Sequence, residues 1–303
     1  MFEECQCRCK FQFSLESSRL IEIDHSNPLK MISKTITDSI ETMGIYCFGQ
    51  RKMIKSVTKT ILDVNEVDFE SNHFYLFVIV KQYKENFTAD IADIIKNRTN
   101  GKYTVTILLQ TNKSLFQKSR DQQYFFYQVM QKAQLIFQSN AKPPCLIFDE
   151  IPIRNINSTK RYIHQRNGIK NIFSEAEAMD NGNATKVNIF MMHIVVEQMC
   201  LELIRVFLGY TPNHFSLSYL FDLCEYFTPL TSEIFPRQTD KDKLLLKLLS
   251  CNMSSLRHGA MDEVPRHDYE VLSNRYYEFI ERADKLIANE LERLQNGNIT
   301  LNN

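Results

Sequence analysis

Glycine and proline are scarce in this chain, eight of each in 303 residues. Collagen-like and low-complexity classes need both in bulk and are excluded. Net charge is missing too, with 36 basic residues balancing 36 acidic ones. No global field therefore draws the chain to nucleic acid or to an anionic membrane, and only a local basic patch would do so. The amino terminus, Met-Phe-Glu-Glu-Cys-Gln, has no positive region followed by an apolar one, and no secretory leader is expected. Cysteine, at eight residues, is not rare but is scattered, which suits a reducing cytoplasm better than a disulfide framework. Cys5, Cys7 and Cys9 alternate with polar residues, and the alternation continues through Phe11 and Phe13, as in a strand. Structural zinc wants pairs two to four residues apart, so no metal site is read there. What is present in ordinary amounts, 44% apolar and 24% charged residues, is a globular composition, and the length allows two separate cores.

Taken in order, the first half alternates strands with helices. Alternation over Phe2 to Ile23 predicts strands, Leu29 to Thr42 a helix, and Gly44 to Gly49 a short strand. Strands follow at His73 to Val80 and Tyr103 to Gln110, with a helix between them from Thr88 to Arg98 and another from Gln122 to Phe137. That order argues for an α/β domain with a mixed sheet over residues 1–142. Residues 143–168 read as a polar connection carrying the basic run Arg154, Lys160, Arg161, His164 and Arg166, which is expected to be solvated surface. Residues 169–303 are helical throughout. A short helix opens near Phe173 with Ser174 as its N-cap, and further helices cover Leu217 to Tyr226, Asp240 to Leu256 and Asp268 to Leu294. With short connections, the natural solution is an all-α antiparallel bundle.

The longest apolar stretch, Val187 to Leu208, organises that bundle. At 100° per residue Asn188, Gln198, Glu202 and Arg205 share one arc, predicted to meet water, while His193 and Glu197 project nearly opposite them, predicted to face inward. The polar residues between His193 and Arg205 make membrane insertion expensive. Gly209 and Pro212 end the helix. One turn apart, His193 and Glu197 suit either a cleft site in which the carboxylate orients the imidazole or a structural pair that fixes helix register. His214, in a Pro-turn before the next helix, caps that helix or touches a ligand. Tyr276 and Tyr277 fall on adjacent faces, so one belongs to the core and the other is open to stack on a base.

The residues His193, Glu197, Gln198, Gly209, Tyr210, Pro212, His214, Leu217 and Leu220, in that order and spacing, resemble the HEPN domain (higher eukaryotes and prokaryotes nucleotide-binding), over about Phe173 to Leu294. The first half resembles the nucleotidyltransferase core to which such domains are fused. In that core a strand ending in Gly-Ser precedes one bearing two acids that hold magnesium. Here Gly49 is followed by Gln50, and Tyr75 and Phe77 stand at the acidic positions. An alternative alignment on Asp63-Val64-Asn65 supplies one acid and one amide. The resemblance therefore implies a nucleotidyltransferase-like domain without nucleotidyl transfer, and no metal or other cofactor.

HEPN ribonucleases carry an arginine and a histidine with four to six residues between them. Arg257 is followed directly by His258, and Arg266 directly by His267, so the standard element is absent. The resemblance then implies a cytoplasmic, bacterial, homodimeric protein that binds a nucleotide or RNA, as a defence or toxin–antitoxin component, without contacting a membrane. Its ligand-binding candidates are Glu197, His214 and Tyr276. Two alternatives stay open: a metal-independent endoribonuclease using His193, Arg257 and His258, and a scaffold without catalysis.

Overall fold

The computed structural model describes residues 26–57, 67–140, 151–179, 185–250 and 263–299. Its sheet is built on one antiparallel pair, β1 (Thr42–Val57) and β2 (Val67–Val80). β3 (Tyr103–Thr111) runs parallel to β2, and β4 (Gln134–Gln138) runs antiparallel to β1, giving the mixed order β3-β2-β1-β4. The run Phe74 to Val80 is apolar without a break because β2 has a strand on each side and covered faces above and below. Phe74, Leu76, Val78 and Val80 point to one face, where α1 (Ser26–Ser39) and α2 (Phe87–Arg98) cover them. α2 presents Phe87, Ile91 and Ile95, four residues apart and thus on one helical stripe.

The opposite face receives the helical region. Tyr46, Phe77, Ile79 and Leu108 share one core with the helices that follow the sheet. Those helices include α3 (Asn112–Phe116), α4 (Arg120–Lys132), α5 (Ile156–Met179) and α6 (Thr185–Leu208). They continue with α7 (Leu217–Cys224), α8 (Leu230–Ile234), α9 (Asp240–Leu249) and α10 (Arg266–Ile299). α6 is the hub, packed by α5, α7, α9 and α10. Among the described residues it is the single helix long and apolar enough to cross a membrane, and it is mostly buried inside the protein. α10 lays Leu272, Tyr276, Phe279, Ala283 and Ile287 against the core along one stripe.

Three expectations change. The segment Leu135-Ile136-Phe137, read as the end of a helix, is the edge strand β4: Ala133 turns extended and the chain pairs Phe137 with Ile45. A short apolar run fits either period, and the free edge of β1 decides it. The stretch 156–168, read as a connection, is the first half of α5, and Ser174 lies inside that helix rather than capping one. The strand predicted at Gly44–Gly49 continues eight residues further, to Val57. From Met53↔Ser71 to Val57↔Val67, β1 and β2 pair with each other alone among the described residues, so the hairpin projects beyond the four-stranded sheet as a two-stranded ribbon. The predicted strands before Ile23, Cys5, Cys7 and Cys9, and Asp63 to Asn65 lie outside the described residues.

Candidate functional site

Two polar constellations stand out, one on the sheet and one on α6. The sheet constellation lies on the face of β2 that carries Tyr75 and Phe77. β2 alternation sends Ser71, His73, Tyr75 and Phe77 to the face under the helical region. Tyr75 and Phe77 are both buried there: Tyr75 meets Phe48 and Tyr226, and Phe77 meets Phe126. The register slips between Cys47 and Gly49, so Phe48 is the extra residue of a β-bulge, and its ring reaches Phe125 and Tyr226 at 5.7 and 5.3 Å. Gly49 has no φ requirement, but a Cβ built on it would run into the Tyr226 ring, whose hydroxyl donates to the Phe48 carbonyl at 3.2 Å. The glycine expected to precede a phosphate turn here seats an aromatic ring.

Ion pairs close the same seam. Glu225, just past α7, has a side chain that is 1% exposed and accepts from Arg51 of β1 and, at 2.8 Å, from Arg237. Arg237 also reaches Asp222 at 2.7 Å. Beside them the His73 ring sits between the hydroxyls of Thr104 and Thr106, at 2.7 and 2.9 Å. Burial first, then the Arg51 charge, pushes its pKa down to about 3. Burial pushes the Tyr75 phenol well up. Among the described residues no group of three His, Cys, Asp or Glu side chains is placed to hold a metal ion.

The α6 constellation reverses the expected orientation of that helix. Glu202 is 0% and Arg205 3% exposed, and Asn188 is buried, so the predicted water-facing stripe is inside. The cause is α5, which covers that side with polar partners of its own. Arg205 donates to Asp121 of α4, to the Ser158 hydroxyl of α5 at 3.0 Å and to the Gly209 carbonyl at 3.2 Å. Arg154 donates to the Val206 carbonyl, so two guanidinium groups serve the carbonyl end of α6, where positive charge suits the dipole. Burial works against the Asp121 carboxyl, but bonds from Ser119, Ser158 and Arg205 outweigh it and hold its pKa below the usual value.

His193 and Glu197, predicted to be interior, are half-buried. Their closest approach, Nε2 to Oε2, is 3.8 Å. His193 Nδ1 lies 3.0 Å from the Leu249 carbonyl at the end of α9, so Nδ1 carries the proton and donates, and Nε2 keeps its lone pair when the ring is neutral. Burial lowers the imidazole pKa, partly offset by that bond. Burial raises the Glu197 carboxyl, opposed by a 3.1 Å bond from Gln198 and by the charge of Arg166. Both groups are thus pushed toward neutrality. Arg166 comes from α5, where its guanidinium lies 4.2 Å above the Tyr162 ring. The α5–α6 face therefore collects a cation held on an aromatic ring, a carboxyl and an imidazole with a free ring nitrogen. Lys160, Arg161 and His164 are exposed on α5 nearby in sequence.

The remaining candidates separate. His214 is exposed, with Nε2 2.9 Å from the Ser216 hydroxyl and its ring 4.8 Å from Tyr219. It bonds the residue that precedes α7 rather than the helix backbone. Tyr276 is the core member of its pair and Tyr277 the exposed one, so the ring named as a ligand contact is packing. Arg257 and His258 lie outside the described residues. Arg166, Tyr162 and Asp121 were not singled out as site residues in the sequence. The one signal for Arg166 was the basic run, which reads as solvated surface until its segment is known to be helical. The chain matches no protein-family model, no curated protein and no solved structure.

Proposed function

We propose that the chain binds a nucleotide or RNA on the α5–α6 face, as a HEPN-like helical region joined to a nucleotidyltransferase-like sheet region that performs no transfer. The observation that carries this reading is Arg166, stacked on Tyr162 beside Glu197 and His193. A guanidinium pre-ordered on a ring pairs with phosphate at small entropic loss. The burial of Tyr75 and Phe77 under the helical region supports a reading without transfer chemistry, since rings stand at the β2 positions that the resemblance gives to the magnesium-binding acids. The test is binding of a labelled mononucleotide and of labelled RNA to the parent chain and to Arg166→Ala. Loss of a charge-assisted contact is expected to weaken affinity about tenfold or more. Equal affinity in the two proteins defeats the reading.

A second reading has its own observation. With Nδ1 committed to the Leu249 carbonyl, His193 Nε2 faces Glu197 at 3.8 Å and carries the lone pair a general base needs in a metal-independent ribonuclease. Incubation with mixed RNA in EDTA decides it: cleavage by the parent and not by His193→Ala establishes the enzyme, and intact RNA in both lanes removes it.

A further inference from the structure

A separate surface lies where the two parallel strands end. β2 runs out into the loop 81–86, β3 runs out into α3, and loop 209–216 of the helical region meets them there. Tyr210 is buried at this junction with a bond to the Gln110 side chain at the end of β3. Tyr83 stands close enough to raise the pKa of both Tyr210 and Tyr219. Above this floor the rings are in the open: Tyr83 is 62% and Phe215 49% exposed, and His214 is exposed beside Tyr219. Large rings gathered on one edge are not the scattered apolar residues of an ordinary surface. Lysines interleave with them. The Lys118 ammonium lies 5.5 Å from the Tyr210 ring centre and 5.9 Å from that of Phe126. Lys84 in loop 81–86 and Lys113 in α3 are exposed, against one acid in that loop, Glu85, while Lys81 is bridged to Glu41 at 3.0 Å.

Open sheets bind ligands outside the carboxyl ends of parallel strands, where the loops diverge. Exposed rings with lysines between them match a ligand that alternates flat π-faces with phosphates. From this juxtaposition we infer that the edge formed by Tyr83, Phe215, His214 and Lys118 binds a single-stranded polynucleotide by stacking its bases. Duplexes keep their bases stacked on one another and cannot offer them to the rings. The inference deepens the nucleotide-binding reading and rests on it, because the same loop joins the two surfaces: Thr211 lies against the Tyr162 hydroxyl of the α5–α6 face, and three residues later His214 reaches the edge. A strand laid across Arg166 on the α5–α6 face leads along loop 209–216 to the rings. That path makes the ligand an oligonucleotide rather than a mononucleotide.

Fluorescence polarisation tests it with labelled oligouridylate and oligothymidylate of about twelve nucleotides and a labelled mononucleotide. The proteins are the full chain, Tyr83→Ala with Phe215→Ala, Tyr83→Phe with Phe215→Tyr, and Arg166→Ala. All three substituted positions are at least partly exposed, so folding is not at stake. The alanine pair is expected to lose tenfold or more in affinity for the oligouridylate, and the ring-preserving pair to keep it. An alanine pair that binds as the parent does, or a parent that binds no oligonucleotide, overturns the edge. Arg166→Ala reports on the α5–α6 face alone: unchanged mononucleotide affinity there, with a weakened alanine pair, rejects that face and retains the edge. Comparable binding of the thymidylate assigns the edge to single strands of either sugar, and a preference for uridylate assigns it to RNA.

Discussion

The seam over β1 and β2 and the face between α5 and α6 are both polar, both rich in arginine and both built where helices meet another layer. They differ in what remains open. At the seam, Glu225 ties down Arg51 and Arg237, Tyr226 fills the space Gly49 leaves, and His73 is held neutral between two threonines. On the helical face, Arg166, Glu197 and His193 stay half-exposed, and the His–Glu pair meets only at 3.8 Å. A seam closed in this way contributes to stability, whereas a face whose charged groups are poised but unlocked is available to a ligand. The difference teaches that position in the fold does not by itself locate function. The face of β2 that carries Tyr75 and Phe77 is the joint between sheet and helices.

The contrast breaks most visibly in acid. The His73 imidazole stays neutral in the folded chain down to about pH 3 and ionises near 6.5 once unfolded. Unfolding takes up a proton throughout that window, so stability is complete above pH 6.5 and is lost as the pH falls, by about 1.4 kcal/mol per pH unit. Denaturation midpoints between pH 7 and pH 4 should show this slope in the parent and a shallower one in His73→Gln. The same slope in both proteins would place the acid sensitivity elsewhere.

Glu225→Ala is next in size. It removes the acceptor that Arg51 and Arg237 share, Arg237 keeping Asp222, and because each guanidinium is 26% exposed and partly rehydrates, the loss is set at about 3 kcal/mol, the low end for a broken buried pair. Urea unfolding measures it, and a loss below about 1 kcal/mol would make the seam an ordinary surface network. Gly49→Ala forces Tyr226 aside and is expected to destabilise by about 1–2 kcal/mol. Most of that loss should return when Tyr226→Ser is added, and a double variant no more stable than the single one would sink the seating role. Smallest of all, Arg166→Ala should change stability by no more than about 0.5 kcal/mol. A large loss there would erase the distinction between the two regions.

Much of the fold was legible, and what was not shares one cause. Runs such as Phe74 to Val80 and the stripe of α10 declare themselves because burial and period coincide. α5 does not, since its apolar residues are interspersed with charged ones and the side of α6 that it meets carries Glu202 and Arg205. Missing it turned α6 the wrong way: with nothing to cover Glu202 and Arg205, their arc reads as the wet side, and His193 and Glu197 are pushed inward. The site suffered accordingly. The pairing of His193 with Glu197 is readable from their spacing, whereas the stacking of Arg166 on Tyr162 and the place of Tyr276 in the core are not. A buried charge leaves no periodic trace of its own, because whether it is paired depends on a residue distant in sequence, as Arg205 depends on Asp121.

The ribbon that carries β1 and β2 past the sheet has a mechanical meaning. Its five free pairs span about 17 Å, and its root is the strand position of Arg51, which Glu225 grips from the end of α7. Beyond Met53↔Ser71 the described backbone pairs join these two strands alone, and over that length a tilt of about 10° at the root carries Val57 and Val67 about 3 Å. The salt link is therefore the fulcrum of a lever, and a shift of α7 too small to disturb the core would be felt most at that Val57–Val67 pair.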